Sequence, residues 1–340
     1  MSVHVRAPLR IDFAGGWTDV PTFCALHGGA VLNGAISLSV RAEFFLGGNR
    51  IRLNAEDLGE RISLESSGLI KYDGKLDLHK AALNMLPVTG GIEILTRSDA
   101  PGGSGLGASG ALDVALVAGL ARCRQDEYAP EELAEFGYQL EALELKLLGG
   151  RQDQYAAALG GFHEFGFAGQ GVEIRRLGVG AEAAADLARH TLLIYTGHSH
   201  FSSQTHARVW DGFSAGEPEV IDALHTMRDL VAPAAKALES GDWERLAGFV
   251  AENWRQQQRL DATISTERTR AIEAAGMSAG AWGLKATGAG AGGCLVMLLP
   301  ADERADAANA VTRAGGRVLD MEYSSAGVEV WEEEDVAPSV

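Results

Sequence analysis

The chain has 340 residues, 46% of them hydrophobic, and a formal net charge of −17 at pH 7. This length fits one large domain or, more readily, two, with enough apolar residues for a full core. The acidic charge argues against nucleic acid or an anionic membrane as a partner. Three cysteines without paired spacing, and a start without a signal peptide or a membrane-spanning run, predict a cytoplasmic protein.

In the first half of the chain, alternating apolar residues at 3–11 predict a strand. Residues 36–46, the turn Gly47-Gly48-Asn49 and residues 51–54 together predict a β-hairpin. Helical spacing follows at 78–86, 109–123, 130–148 and 154–159, and residues 190–195 predict another strand.

The second half is richer in helix, with helical spacing at 218–240, 243–260, 266–275 and 302–314. Strands are predicted at 281–287, 293–299, 316–323 and 327–331. Helices beside a few antiparallel strands indicate an α+β fold. We place a domain boundary between residues 180 and 200, which gives an N-terminal domain at 1–190 and a C-terminal domain at 191–335.

The segment between the β-patterned residues 92–95 and the helix that begins at Ser109 contains Gly102, Gly103, Gly105 and Gly107. Glycine lets backbone N–H groups approach a ligand closely, and a helix N-terminus adds unpaired N–H donors and the positive end of its dipole. This pattern is typical of a phosphate-binding loop, with Ser109 placed to cap the helix or to bind Mg²⁺. The alternative is an ordinary glycine-rich turn with Ser109 as the helix cap.

Two other segments combine glycine with polar residues. In the first, Asp19 follows a Gly-Gly turn and either accepts hydrogen bonds from vicinal hydroxyls of a sugar or simply caps the next segment as an Asx turn. The second, residues 285–294, matches GxGxxG at Gly288, Gly290 and Gly293. A strand-like run follows it where a dinucleotide-binding fold requires a helix. We therefore expect this loop to join two strands and to pack closely against a ligand or the backbone.

In their order and spacing, the three segments resemble the three motifs of the GHMP kinases, the family of galactokinase, homoserine kinase, mevalonate kinase and phosphomevalonate kinase. Residues 99–113 resemble the central PxxxGLGSSA phosphate loop, with Ala108 in place of the first serine, and residues 285–294 resemble the C-terminal glycine-rich motif. Within the family, RIDFAGGWTDVP at 10–21 and HGGAVLNGAI at 27–36 resemble the sugar-1-kinase branch, which includes L-fucokinase and the D-glycero-D-manno-heptose 7-phosphate kinases.

The resemblance implies an N-terminal α/β domain like that of a ribosomal protein and a C-terminal ferredoxin-like domain, with ATP and sugar in the cleft between them. Asp153, in a segment similar to GKQDQYAA, corresponds to the catalytic aspartate, and Arg10 matches a position close to the transferred phosphate. Glu144 corresponds to the glutamate that binds Mg²⁺ together with Ser109, and Glu141, one turn earlier, is the alternative ligand.

The same resemblance assigns the binding of ATP to Pro101, Gly102, Gly103, Ser104, Gly105, Leu106, Gly107, Ala108 and Ser109. It assigns the binding of the sugar to Gly16, Trp17, Thr18, Asp19, His27 and Gly290. The role of the histidine cluster stays open between metal binding, contact with the sugar and simple solvation; its members are His198, His200 and His206.

We therefore expect an ATP-dependent kinase, a monomer or homodimer, that phosphorylates a sugar or sugar phosphate at the anomeric hydroxyl by analogy with the branch. One alternative is a family member with a non-sugar acceptor such as a cyclitol, or with the related decarboxylase chemistry. The other is a catalytically silent sugar or nucleotide sensor. The joint presence of Asp153, Glu144 and Ser109 argues against the sensor, because binding alone needs no base.

Overall fold

The computed structural model describes residues 2–65, 68–169, 171–197 and 203–333, and the strands of these residues form a sheet of eight and a sheet of four. The strands are β1 (Ser2–Ala14), β2 (Gly29–Leu46), β3 (Arg50–Ala55), β4 (Glu60–Glu65), β5 (Ile92–Ser98), β6 (Phe162–Ala168), β7 (Gly171–Arg176), β8 (Thr191–Tyr195), β9 (Gly283–Ala286), β10 (Cys294–Leu298), β11 (Arg317–Leu319) and β12 (Glu329–Glu333).

The α-helices are α1 (Pro21–His27), α2 (Asp77–Met85), α3 (Ala108–Arg124), α4 (Pro130–Gln139), α5 (Gln152–Leu159), α6 (Ala181–Arg189), α7 (Ser203–Ser214), α8 (Pro218–Asp229), α9 (Val231–Ser240), α10 (Trp243–Leu260), α11 (Glu267–Ser278) and α12 (Arg304–Arg313). A π-helical turn spans Leu140–Glu144, and a 3-10 turn spans Ala301–Glu303. In the described part of the chain, every helix is too short or too polar to span a lipid bilayer.

The larger sheet contains strands from both ends of the chain. Its order is β12-β1-β2-β5-β3-β4, with β6 paired to β2 and β7 paired to β6. The smaller sheet, β11-β8-β10-β9, is antiparallel throughout. The chain enters the smaller sheet close to residue 190, but β12 returns to the larger sheet and pairs with β1. Helix α3 lies on β1 and β2 and is largely buried, as its apolar sequence predicts.

The hairpin predicted for residues 36–54 is not formed, because β5 lies between β2 and β3. Residues 40–46 of β2 pair antiparallel with β5, and residues 51–55 of β3 pair parallel with β5. The turn glycines bond to Gly91 instead: Gly47 N donates to Gly91 O at 2.9 Å, and Gly91 N donates to Gly48 O at 3.1 Å. Local periodicity predicts that both segments are strands, but their partners depend on residues much later in the chain.

Two predicted helices are interrupted. Residues 130–148 form α4 only as far as Gln139, and the chain then makes the π-helical turn and no regular helix as far as Arg151. Residues 218–240 form two helices, because Pro233 in the first turn of α9 has no N–H group to continue the hydrogen bonding of α8. The first interruption bears on the functional site, since π-helical turns redirect the side chains that follow them.

A buried ion pair joins the two sheets. Lys285 of β9 is 0% exposed, and its Nζ lies 2.8 Å from Asp12 Oδ2 of β1 and donates to the Asp12 carbonyl oxygen at 2.9 Å. Burial lowers the pKa of Lys285, and the charge of Asp12 opposes this effect. Because a buried charge is stable only when it is paired, this contact fixes the end of β1 against the smaller sheet.

The substitution Lys285→Met tests this link. It leaves the Asp12 carboxylate buried without its partner, so we expect the free energy of unfolding to fall by about 3–5 kcal/mol. Urea unfolding followed by circular dichroism measures the change. The matched control is Lys75→Met at an exposed lysine, which we expect to shift stability by less than about 0.5 kcal/mol. Equal stability of the two variants would contradict the role of Lys285.

Candidate active site

A cavity of about 300 Å³ lies where the loops of both sheets meet. Its walls come from the end of β1, the loop before α3, the π-helical turn, the start of α5 and the loop before β10. The predicted site residues that line it are Arg10, Gly16, Trp17, Asp19, Gly103, Ser104, Gly105, Gly107, Ala108, Ser109, Asp153 and Gly290. A larger cavity, of about 760 Å³, lies against α6 and contains none of them.

The loop before α3 has the backbone conformation that its glycines predict. Gly103, Gly105 and Gly107 have φ angles of 69°, 75° and 75°, in the left-handed region that favours glycine. The loop therefore brings backbone to the cavity wall directly before the N–H groups at the start of α3, which have no partner within the helix. Three of the residues predicted to bind ATP lie outside the cavity wall: Pro101, Gly102 and Leu106.

The second glycine loop, residues 288–293, packs against the first. Cys294 N donates to Ser104 O at 2.7 Å, and Thr287 Oγ1 donates to Gly105 O at 3.0 Å. A Cβ atom at Gly288 would lie 2.7 Å from Gly105 Cα, so this approach requires glycine. The loop thus joins strands β9 and β10 and contacts backbone, as its sequence predicts, and its GxGxxG pattern serves this packing.

Asp153 lies in the first turn of α5 and forms an ion pair with Arg10 of β1. Its Oδ1 accepts from Arg10 Nε at 2.8 Å and lies 2.7 Å from Nη2. Arg10 is 4% exposed, and its Nη1 donates to Gly105 O at 2.6 Å and Thr287 O at 2.9 Å. Among the described residues, Asp153 Oδ2 has no hydrogen-bond partner. One carboxylate oxygen is therefore held in place while the other can accept a proton.

Asp19 lines the same cavity and is 2% exposed. Its Oδ2 accepts from Gln152 N at 3.1 Å, and its Oδ1 accepts from Gln152 Nε2 at 3.3 Å. The backbone of Gly150 lies so close that a Cβ atom there would be 1.7 Å from Oδ2. Burial raises the pKa of Asp19 to about 6, and the charge of Asp153 adds to this effect.

Ser109 is paired with Glu141 and not with Glu144, the predicted metal ligand. The Ser109 hydroxyl donates to Glu141 Oε1, and Gln154 Nε2 donates to Glu141 Oε2 at 3.0 Å. Glu141 lines the cavity, and burial raises its pKa. Glu144 interacts with Tyr72 and does not line the cavity. The π-helical turn, which replaces part of the predicted regular helix, contains both glutamates and brings Glu141 to Ser109 at the cavity wall.

Two residues predicted to bind the sugar have other contacts. The Thr18 hydroxyl is buried and donates to Gly15 O at 2.7 Å and Ala30 O at 2.8 Å, so it holds the turn that precedes Asp19. His27 is exposed, packs against Phe23 and other aromatic side chains, and does not line the cavity.

Trp17 and His206 form a stacked pair at the cavity. Their ring centroids lie 4.3 Å apart, and Trp17 has a φ of 78°, which is unusual for a bulky side chain. Burial lowers the pKa of His206 to about 4, so its ring is neutral at pH 7. His198 and His200, the other members of the histidine cluster, lie outside the described residues.

Comparison with known proteins identifies the family. The description "GHMP kinases N terminal domain" matches residues 76–161, and "GHMP kinases C terminal" matches residues 234–317; together the matches cover half of the chain. The chain belongs to the GHMP kinase family. It is therefore a phosphotransferase that uses ATP and an alcohol acceptor, and the two-domain architecture predicted from its sequence is confirmed.

This GHMP kinase is similar to several sugar kinases. The D-glycero-alpha-D-manno-heptose 7-phosphate kinase of Campylobacter jejuni is 28% identical over 340 residues, which cover 97% of this chain and 99% of that protein. The bifunctional fucokinase/GDP-fucose pyrophosphorylase of Arabidopsis thaliana is 27% identical over 88% of this chain and 30% of that protein. The crystal structure of a D-glycero-D-manno-heptose 1-phosphate kinase from Bacteroides thetaiotaomicron matches with a TM-score of 0.82 and 25% identity, over 98% of this chain and 100% of that one.

Sequence reasoning gave no role to three residues that shape the cavity of this GHMP kinase: Asp12, Gly150 and Gln152. Asp12 could have been noticed as an acidic residue in an apolar strand, two positions after Arg10. Gln152 adjoins Asp153, but its bonds to Asp19 depend on how α5 meets β1, which local spacing does not reveal.

The raised pKa of Asp19 predicts a pH-dependent stability. Between pH 3.8 and about 6 the folded kinase keeps a proton on Asp19 that the unfolded chain has lost, so the stability contributed by this group falls as pH rises through that range. Relative to Asp19→Asn, which has no such proton to lose, we expect wild-type unfolding free energy to drop by about 2–3 kcal/mol from pH 4 to pH 7.

Urea unfolding of both proteins across this pH range measures the difference. The Asp19→Asn variant serves as the matched control for the wild type, because the amide keeps the shape of the carboxylate and the remaining titratable groups are unchanged. A stability difference that stays constant with pH would show that the pKa of Asp19 is ordinary.

Proposed function

We propose that this GHMP kinase transfers the γ-phosphoryl group of ATP to a sugar or sugar phosphate, with the anomeric hydroxyl as acceptor. The observation that carries the proposal is the presence, in one cavity, of Asp153 held by Arg10 beside the first glycine loop and of the buried carboxylate of Asp19. The first carboxylate can take up a hydroxyl proton, and the second can bind hydroxyl groups. Similarity to proteins named as heptose phosphate kinases and as a fucokinase supports a sugar acceptor.

The first glycine loop binds the phosphates of ATP in this proposal. Residues 103–107 bring backbone to the cavity, and the start of α3 adds unpaired N–H groups and the positive end of the helix dipole. The second loop supports the first from the smaller sheet. Because phosphoryl transfer depends mainly on positioning and on stabilising charge, a fixed backbone at the phosphates is the central requirement.

Asp153 acts as the proton acceptor for the attacking hydroxyl. Arg10 bonds to Oδ1 and leaves Oδ2 without a partner among the described residues, so the same ion pair orients the base. Arg10 also places a positive charge between Asp153 and the first glycine loop, where it can stabilise charge on the transferred group.

Ser109 and Glu141 fit Mg²⁺ as one hydroxyl and one carboxylate in contact at the cavity wall. Mg²⁺ commonly takes one or two protein ligands and completes its octahedron with phosphate oxygens and water, and when bound it stabilises charge on the phosphates. Among the described residues, no group of three or more His, Cys, Asp or Glu is placed to hold a metal ion. The remaining ligands would therefore come from ATP and water.

We place the enzyme in the cytoplasm, as a monomer or homodimer. Its three cysteines are unpaired, and two of them are buried, which is usual for proteins of a reducing compartment.

The function is tested by measuring ADP release with a panel of sugars and sugar phosphates. We expect ATP-dependent turnover with at least one of them, and the phosphorus NMR signal of the product should couple to the anomeric proton. A phosphate found on a primary hydroxyl would rule out the anomeric assignment, and the cyclitol myo-inositol as the preferred acceptor would rule out a sugar kinase.

Asp153→Asn tests the base. The amide keeps the size of the side chain but cannot accept a proton, so we expect turnover to fall by about 10²-fold or more. Affinity for ATP, measured with a fluorescent analogue, should stay within a few-fold because Asp153 does not bind the nucleotide. Turnover close to the wild-type value would remove Asp153 from this role.

Glu141→Gln and Glu144→Gln form a matched pair for the metal ligand. We expect Glu141→Gln to raise the Mg²⁺ concentration for half-maximal rate by about 10-fold or more, because it removes a charged ligand. Glu144→Gln makes the same chemical change outside the cavity and should leave that concentration within about two-fold. The reverse result would restore Glu144 as the ligand.

A further inference from the structure

We propose that the acceptor of this kinase is an uncharged sugar, one that carries no phosphate of its own when it enters the site. This inference rests on the sugar kinase function proposed above and narrows its substrate class. It follows from the charges of the side chains around Asp19, from the partners those side chains already have, and from the helix N-termini at the cavity.

The acceptor region of the cavity is acidic. Asp12, Asp19 and Asp153 all line it. Asp12 and Asp19 are each 2% exposed, and within the described part of the chain the buried Oδ1 atom of Asp12 has no hydrogen-bond partner. A buried carboxylate oxygen without a donor is best satisfied by a ligand that donates, and hydroxyl groups of a sugar are such donors.

The cations close to these carboxylates are already engaged. Arg10 bonds to Asp153 and to the carbonyl groups of Gly105 and Thr287. Lys285 is fully buried against Asp12. Arg151, next to the site, pairs with Glu135 and stacks on a tyrosine ring. Residues 198–202, which lie outside the described part, contain no lysine or arginine in their sequence.

The N-terminus of α5, which contacts Asp19, is also occupied. Gln152 N, the first amide of α5, donates to Asp19 Oδ2 at 3.1 Å. The start of α3 lies at the first glycine loop, which the proposed function assigns to ATP. Proteins bind phosphate groups mainly with arginine, lysine or unpaired helix N–H groups. Among the described residues of the acceptor region no arginine or lysine is left over, and the first amide of α5 is taken.

A second phosphate would therefore be repelled. A phosphate monoester carries a charge of about −1.5 to −2 at pH 7 and would add to the charge of ATP, while Arg10 and Lys285 already balance Asp153 and Asp12. An uncharged sugar donates its hydroxyl hydrogens to the same carboxylates and meets no repulsion.

The decisive experiment uses the wild-type enzyme and matched pairs of acceptors. ADP release is measured with three pairs of acceptors: D-mannose and its 6-phosphate, D-galactose and its 6-phosphate, and D-glycero-D-manno-heptose and its 7-phosphate. L-fucose is added as a further uncharged sugar. We expect the best acceptor to be an uncharged sugar, with kcat/KM at least about 100-fold above that of its phosphorylated partner. When the phosphorylated partner is added at ten times the concentration of the uncharged sugar, the rate of phosphorylation of the uncharged sugar should stay unchanged.

The outcomes separate the two proposals. Preference for a phosphorylated partner, or competitive inhibition by it, would overturn the uncharged acceptor but leave a sugar kinase. No turnover of any sugar in either series would overturn the sugar kinase function itself, and this inference with it.

Asp12→Asn tests the acidic wall. The amide keeps the shape beside Lys285 but cannot accept hydrogen bonds as a carboxylate does, so we expect KM for the uncharged sugar to rise about 10-fold or more, with KM for ATP unchanged. Asp126→Asn, the same change outside the cavity, is the matched control. Circular dichroism checks the fold of both variants, and an unchanged sugar KM in folded Asp12→Asn would remove Asp12 from acceptor binding.

Discussion

The guanidinium group of Arg10 fixes the relative positions of the segments that form the cavity. It is almost fully buried and bonds to Asp153 of α5, to the carbonyl oxygen of Gly105 in the first glycine loop and to that of Thr287 before the second. A buried charge is tolerated only when it is paired and its N–H groups are bonded. Each of these partners therefore satisfies Arg10, and Arg10 in turn holds Asp153, the first glycine loop and the smaller sheet together.

Close backbone approach is the second condition that the site depends on. The glycine loops touch at Gly105 and Gly288, where a Cβ atom would meet backbone at 2.7 Å, and Gly150 leaves room for the Asp19 carboxylate. The glycines of these segments thus have two separate purposes. Some give the first glycine loop its left-handed conformation, and others let two parts of the chain come close enough for a shared cavity to form.

Much of this site could be predicted because its signals are local. The glycine spacing after β5, the apolar run of α3 and the carboxylate opening α5 are all visible within a few residues of sequence. The strand partners could not be predicted in this way, because β5 lies between β2 and β3 in the sheet although it begins only at Ile92, far along the chain from the end of β3 at Ala55. The π-helical turn that brings Glu141 to Ser109 could not be predicted either, and neither could the pairing of Asp12 with Lys285. Both depend on how distant elements pack.

The two passages of the chain between the sheets lie side by side. The first enters β8 at Thr191, and the second, on the way to β12, carries Tyr323, whose hydroxyl lies 3.1 Å from Thr191 Oγ1. The sheets are also joined away from this contact, because α9 and α10 pack on β1 and one buried core contains residues of β1, β8 and β10. Because the core is continuous across the two sheets, we expect them to unfold as one cooperative unit, so that loosening one wall of the cavity loosens the other.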